Sequence, residues 1–341
     1  MHARVSELDA GQAADLLITA DLWGIDTHGV ARLPAYYELL VNQKINPHPN
    51  IRIVRSRLST AMVDGDNGLG LIIGPKVNEI AIEKAEQTGA GWVGVYNSNH
   101  FGIAGYYPYQ ALPLDIIGFA MTNTTPQVAP LWGAERMLGT NPIAVAFPGN
   151  EEPPIIIDFA TSAVSYGKVE NALRKNEIMP EGCIADCNGV ATVNPEEMIN
   201  GGVILPLGTD FDHGGHKGYC LTAMVDILCG VLTGASWGPF VPQFLTRIEP
   251  PKRVVGKGVG HLFGALQIDG FIDPKEFRSR VDGWIRVIRA GKPAPRTQGP
   301  LIPGDPERKA REVAVQEGIT LQPIVFRELR ALGARTGINF E

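Results

Sequence analysis

Residues 92–102 read Trp92-Val93-Gly94-Val95-Tyr96-Asn97-Ser98-Asn99-His100-Phe101-Gly102. A short apolar run ends in small polar residues around one histidine, the pattern of a strand that delivers a side chain to a loop at its carboxyl end. Histidine is also the residue whose ordinary pKa lets it give or take a proton near neutrality. A histidine in such a place serves structure as readily as chemistry, so the weight of His100 depends on the rest of the chain.

Similar apolar runs recur. Ile116–Met121, Ile143–Phe147, Ile155–Phe159 and His261–Ile268 read as strands, as does Ala61–Val63 ahead of the turn-rich Asp64-Gly65-Asp66-Asn67-Gly68. Helical spacing predicts helices over 9–23, 33–43, 74–88, 167–175, 274–290 and 307–317, with a short helical tail after the last. Lys217 to Gly234 is apolar nearly all round and reads as a buried helix, with Cys220 and Cys229 as buried thiols. Residues 176–215 are polar and read as an elaborated loop region. Helices gather at both ends and mixed strands fill the middle. The expected fold is therefore α/β, a mixed-sheet core capped by a helical unit built from both termini. The expected division puts 1–60 and 274–341 in the cap and 61–273 in the core.

The chain has 341 residues, 44% hydrophobic and 19% charged, which suits an ordinary globular protein with a sizeable core. A net charge of -6 and a pI near 5.7 argue against nucleic acid or an anionic membrane as the main partner. The four cysteines lack paired CxxC spacing, so no metal site is expected. The stretch MHARVSELDAGQAAD has no apolar h-region, and the longest apolar segment, Tyr219 to Ala235, is interrupted by Asp226. A reduced, soluble, cytoplasmic protein is the expectation.

One formal GxGxxG exists, Gly89-Ala90-Gly91-Trp92-Val93-Gly94. It follows a helix and precedes a strand, the reverse of the order that sets a pyrophosphate on a helix N-terminus. It reads as a helix end and a strand entry. Gly256-Lys257-Gly258-Val259-Gly260 likewise leads into a strand, and no Walker A, HExxH or GxSxG sequence occurs.

Several clusters carry chemistry. Asp26-Thr27-His28-Gly29 and Arg32 gather a hydroxyl, a histidine and a guanidinium within seven residues. An arginine fork suits a substrate carboxylate, although the cluster also reads as a helix cap. Thr124 and its neighbours, and Leu138–Pro142, close two apolar runs with groups that orient a carboxylate or simply make turns. Asp158 leaves an apolar strand and needs a partner, because an unpaired buried charge is costly. It can orient a histidine, serve a cofactor or cap the next segment. His213–Gly218 opens a helix with glycine-freed amides and Lys217, an arrangement that fits a phosphate.

Taken in order, DTHGVARL (26–33), VDGDNGLG (63–70), NSNHFG (97–102), LGTNP (138–142), IDFATS (157–162), HKGY (216–219) and LIPGDPE (301–307) resemble the type II malate/L-lactate dehydrogenase family. The resemblance runs from about residue 10 to about 340. It implies NAD(P)-dependent reduction of 2-oxo or imino acids, a nicotinamide-binding fold unlike the Rossmann fold, a cofactor lobe at roughly 120–240, and a homodimer. It places the acid/base candidates at His28 and His100. Thr27, Arg32 and Thr124 are the expected substrate contacts, with Arg32 as the carboxylate clamp. Cofactor contacts are implied at Ile157, Asp158, Phe159, Ala160, Thr161 and Ser162, at His216 and Lys217, and at Gly304, Asp305 and Pro306. Thr27 stands where the family usually has serine. Phe211-Asp212-His213-Gly214 is insertion-like, and the N-terminal helix reads as shortened, with an upstream element expected to be missing. The expected activity is hydride transfer between NAD or NADP and C2 of a small 2-oxo acid. Reduction of a diketo sugar acid or cyclic imino acid stands as the alternative, and a non-catalytic dimeric binding protein as the other class.

Overall fold

The computed structural model of the chain describes residues 3–244 and 253–339. Ten strands are present among the described residues: β1 Arg52–Ser56, β2 Thr60–Asp64, β3 Ala90–Ser98, β4 Ile116–Thr122, β5 Ile143–Phe147, β6 Ile155–Phe159, β7 Ile184–Ala185, β8 Ala191–Thr192, β9 Val203–Ile204 and β10 Val259–Gln267. Seven build one sheet in the order β1-β2-β3-β10-β4-β5-β6. Its only parallel pair is β2 with β3, so it is not the all-parallel sheet of a doubly wound fold. The mixed-sheet expectation holds. β1 went unread because all five of its residues are exposed and show no alternation.

The strand ends coincide. Ser98 at the end of β3 faces Val259 at the start of β10, His261 faces Thr122 at the end of β4, and Ile143 at the start of β5 faces Phe159 at the end of β6. Each apolar run therefore empties into its polar cluster at the same edge of the sheet.

The nine described helices are α1 Glu7–Leu22, α2 Leu33–Val41, α3 Gly70–Thr88, α4 Tyr106–Ala111, α5 Tyr166–Lys175, α6 Gly215–Asp226, α7 Pro274–Arg289, α8 Asp305–Glu317 and α9 Pro323–Thr336. α3 and α4 cover one face of the sheet, while α6 and its π-helical continuation Ile227–Val231 cover the other. α3 starts at Gly70 rather than at residue 74. Pro75 mimics a first-turn proline, but Leu71, Ile72 and Ile73 are fully buried and their packing carries the extra turn. α1 packs on α8 and α2 on α9, with Arg335 2.7 Å from Glu38, so helices from the two ends of the chain meet.

Two expectations need correction. The segment Lys217–Gly234 is buried on one side only. Val225 and Cys229 pack against Met121 and Leu262, while Met224, Ile227, Val231 and Leu232 point outward. Cys220 shares that outer side and is exposed. Residues 176–215 are also more than loop. β8-β7-β9 form a second small sheet, and Ile184 and Ile204 pack with Val128, Val169 and Met198 into a core of their own. Strands of two residues are too short to show a period.

The rejected glycine motif is structural. Gly89, at φ 85, ends α3 in the left-handed region. Gly91 faces α3 so closely that a Cβ would collide with the Ala81 carbonyl. Gly91→Ala is expected to cost about 1–3 kcal/mol through that overpacking. Gly283→Ala, on an open face of α7 with nothing within 4 Å of its Cβ, should stabilise by about 0.5–1 kcal/mol. Denaturant unfolding of both variants checks the opposite signs.

Candidate active site

The loop after β3 is seated by the residues that open α3. The Asn99 amide donates to the carbonyls of Asn67 and Gly68 at 3.2 and 2.9 Å. Asp66 and Asn67 turn the chain at φ 50 and 55, a conformation that short polar side chains tolerate. A Cβ on Gly70 would run into the carbonyls of Asn99 and His100. The VDGDNGLG segment is thus the seat on which the His100 loop rests.

His28 comes from the short turn Asp26–His28 that follows α1. Its ring stacks on that of His100, with centroids 5.5 Å apart and planes 22° apart. Phe244 covers His100 at 4.6 Å. The Thr27 hydroxyl lies 2.9 Å from His28 Nδ1. His100 Nδ1 accepts the Gly102 N–H at 3.2 Å and has the Tyr36 hydroxyl 2.6 Å away. A nitrogen that accepts from a backbone N–H carries no proton, so Tyr36 donates as well and neutral His100 bears its hydrogen on Nε2.

Burial pushes the pKa of His28 down to about 4, and the Arg32 charge adds to the effect. Burial also holds His100 well below the usual histidine range, helped by His28, Arg32 and His261. Burial raises Tyr36 above its ordinary value, so its hydroxyl keeps its proton. Two stacked imidazoles beside a guanidinium hold at most one extra proton between them.

The other expected residues divide. Arg32 is close by but engaged. Its Nε donates to the Thr27 carbonyl at 2.6 Å, and Nη2 pairs with Glu170 of α5 at 3.2 Å. Asp158 makes its hydrogen bond to neither histidine. Its carboxylate accepts the Gly105 N–H at 2.7 Å, ahead of α4, so the histidine-orienting role has no support. Burial raises Asp158 to about 6, against the Gly105 bond and with Glu307 adding to the rise. The Thr124 hydroxyl accepts the Thr140 N–H at 2.9 Å, and Asn141 caps the Thr124 N–H at 3.0 Å, which makes these threonines part of the sheet edge.

The implied cofactor segments do converge. Ile156 N donates to the Pro303 carbonyl at 3.2 Å, bringing the start of IDFATS to the Gly304 turn. Thr161 meets Thr222 of α6, hydroxyl to hydroxyl, at 2.9 Å. Asp305 is spoken for, accepting from Ile302 N and from Arg289 and Arg308. Gly304 makes a closer case, with its backbone against Ile156 and φ 97. At the start of α6 no side chain caps the helix, Lys217 is exposed, and His216 Nδ1 is buried with no hydrogen-bond partner. An orphaned ring nitrogen beside an exposed lysine fits a phosphate-bearing cofactor.

Sequence reasoning missed Tyr36, Phe244, Glu170 and His261. Tyr36 lies eight positions after His28 on the inner face of α2, a signal that only the helix geometry reveals. His261 sat unremarked within a strand, and Phe244 and Glu170 reach the site from distant segments with no local cue.

The malate/L-lactate dehydrogenase family model matches residues 1–330. Malate dehydrogenase of Pyrococcus horikoshii is 41% identical over 336 residues, 98% of this chain and 91% of that protein. Its structure superposes with a TM-score of 0.91 at 39% identity, covering 100% of this chain and 92% of that one. L-sulfolactate dehydrogenase of Methanocaldococcus jannaschii is 39% identical over 99% of this chain and 93% of that protein. Ureidoglycolate dehydrogenase (NAD(+)) of Escherichia coli is 32% identical over 94% of this chain and 88% of that protein. The chain belongs to the malate/L-lactate dehydrogenase family and is a nicotinamide-dependent 2-hydroxy acid dehydrogenase, with a small 2-oxo or 2-hydroxy acid as its substrate.

Proposed function

We propose that the stacked His28–His100 pair performs the acid/base step, with NAD or NADP as cofactor and a short anionic 2-oxo acid of the malate or sulfolactate kind as substrate. The observation that carries this reading is two neutral imidazoles held face to face beside Arg32 and Thr27 at the polar edge of the sheet. The nicotinamide supplies or removes hydride at substrate C2. Asp158, Thr161, His216, Lys217 and the Gly304 turn are the groups proposed to hold the cofactor.

Within the pair the nitrogens differ. His100 Nδ1 is taken by two donors, so its Nε2–H is a hydrogen-bond donor for the substrate oxygen, an electrophilic role that suits a neutral imidazole. His28 Nδ1 meets only the Thr27 hydroxyl, to which it can donate, leaving Nε2 as the base in the oxidation direction. Arg32 turns from Glu170 to the substrate carboxylate. His28→Asn is expected to lower kcat by about 100-fold or more, with the cofactor KM unchanged. His100→Asn should lose less. Equal or reversed losses would move the proton to His100, and near-normal turnover in both would end the reading.

The pH profile follows from the same geometry. The base must be neutral, and burial places the His28 pKa at about 4. kcat/KM for 2-hydroxy acid oxidation should therefore stay level as pH falls through 6.5 and drop only near 4. An acid limb at an ordinary histidine pKa would contradict the assignment.

A homodimer working in the cytoplasm completes the proposal. Met224, Ile227 and Val231 leave an apolar stripe on α6 and its continuation uncovered, the kind of surface that a second copy buries. The four cysteines are free, which fits a reducing compartment. Ile227→Glu should shift sedimentation from dimer to monomer, and an unchanged dimer would place the interface elsewhere.

A further inference from the structure

β10 is the middle strand of the sheet, covered on both faces, where apolar side chains are the rule. His261 departs from it with no exposed surface at all. Its Nδ1 lies 2.7 Å from the Thr122 hydroxyl and its Nε2 2.8 Å from the Ser98 hydroxyl. Thr122 donates its own hydrogen to the Gly260 carbonyl at 3.0 Å. The Ser98 hydroxyl likewise has the Asn99 carbonyl within 3.4 Å, so each ring nitrogen is held by a hydroxyl that is itself tied to the backbone. Burial presses the ring down to about 3, against a backbone hydrogen bond to Asn99, so it remains neutral.

The same ring stacks on Phe101, with centroids 4.8 Å and planes 10° apart. His261 thus grips His100 from both flanks, by a hydrogen bond two residues before it and a ring stack one residue after it. Phe101 is anchored in turn by Tyr107, whose hydroxyl donates to the Phe101 carbonyl. An aliphatic residue at 261 would fill the space without polar atoms to satisfy. What the imidazole adds is a directional hold on the loop.

We propose that His261 is a positioning residue for the reaction, setting through Ser98 and Phe101 where His100 presents its ring to the substrate. The proposal rests on the assignment of His100 to the reacting site. Misplacing a catalytic group by about 1 Å can cost about 100-fold, so the hold has a kinetic readout.

Glutamine and asparagine at 261 separate the two ring nitrogens. The Gln amide reaches the place of Nε2 and can still hydrogen-bond Ser98, whereas the Asn amide reaches only that of Nδ1. His261→Gln should keep kcat within about fivefold of the parent, while His261→Asn and Ser98→Ala lose about tenfold to 100-fold. Cofactor KM should be unchanged throughout, and the Gln and Asn variants should unfold at similar denaturant concentrations. Equal losses in Gln and Asn, or parental turnover in Ser98→Ala, would overturn the proposal, and Ser98→Ala decides alone if neither His261 variant folds. Full turnover in His100→Asn would instead remove His100 from the reacting site, a separate result.

Discussion

β10 enters the sheet antiparallel to both β3 and β4, and its register sets His261 opposite Thr122 and next to Ser98. Because side chains alternate across a strand, a slip of one residue would send the imidazole to the opposite face and bring Leu262 or Gly260 in its place. The register also fixes which strand ends meet. Beyond the last ladder bonds the backbone groups still need partners, and asparagines supply them. Asn123 accepts from Gly260 N at 3.0 Å and donates to the Ser236 carbonyl at 2.7 Å. Asn141 accepts from Thr124 N and donates to the Thr222 carbonyl at 3.1 Å. The polar edge on which the site sits is the place where the sheet's own hydrogen bonding is handed to side chains.

That hand-over explains what the sequence discloses. Apolar runs that end in Asn, Thr and His are visible in a single chain, so β2 to β6, β10, His100 and Thr124 could be named from local pattern, and His28 from the polar cluster after the first helix. The strand order could not. β10 lies more than a hundred residues beyond β3 and β4 and inserts between them, and no local propensity encodes such a pairing. The stack of His28 on His100 depends on that order too, since α1 and its turn reach the His100 loop only through tertiary packing. Tyr36 and His261 escaped for the same reason, because each earns its meaning from a partner distant in sequence. Cys220 was misplaced for a different reason. Apolar character on every side of a helix says that burial is possible, and the actual covering by Met121 and Leu262 reaches one side only.

Glycines mark where backbone is pressed against backbone. Gly70 beneath the His100 loop and Gly260 against the Cys229 carbonyl both leave no room for a Cβ. These contacts let the His100 loop sit directly on the start of α3 and the π-helical segment lie close against β10. Precision in a loop normally demands such support, since loops have few neighbours of their own. Here the support comes from below through VDGDNGLG and from behind through β10.

The electrostatics then couple occupancy to protonation. Without substrate, Arg32 and burial keep the His28–His100 pair neutral, and Glu170 occupies the guanidinium. A 2-oxo acid brings its own carboxylate, which competes with Glu170 for Arg32 and adds a negative charge beside the imidazoles. For His28, held down by burial and by Arg32, a negative charge alongside acts in the opposite direction and raises its pKa. On the proposed assignment, His28 is then the group that gives its proton as an anionic substrate is reduced. A neutral ketone, lacking the carboxylate, would leave the pair unprotonated and would not be reduced efficiently even if it fitted.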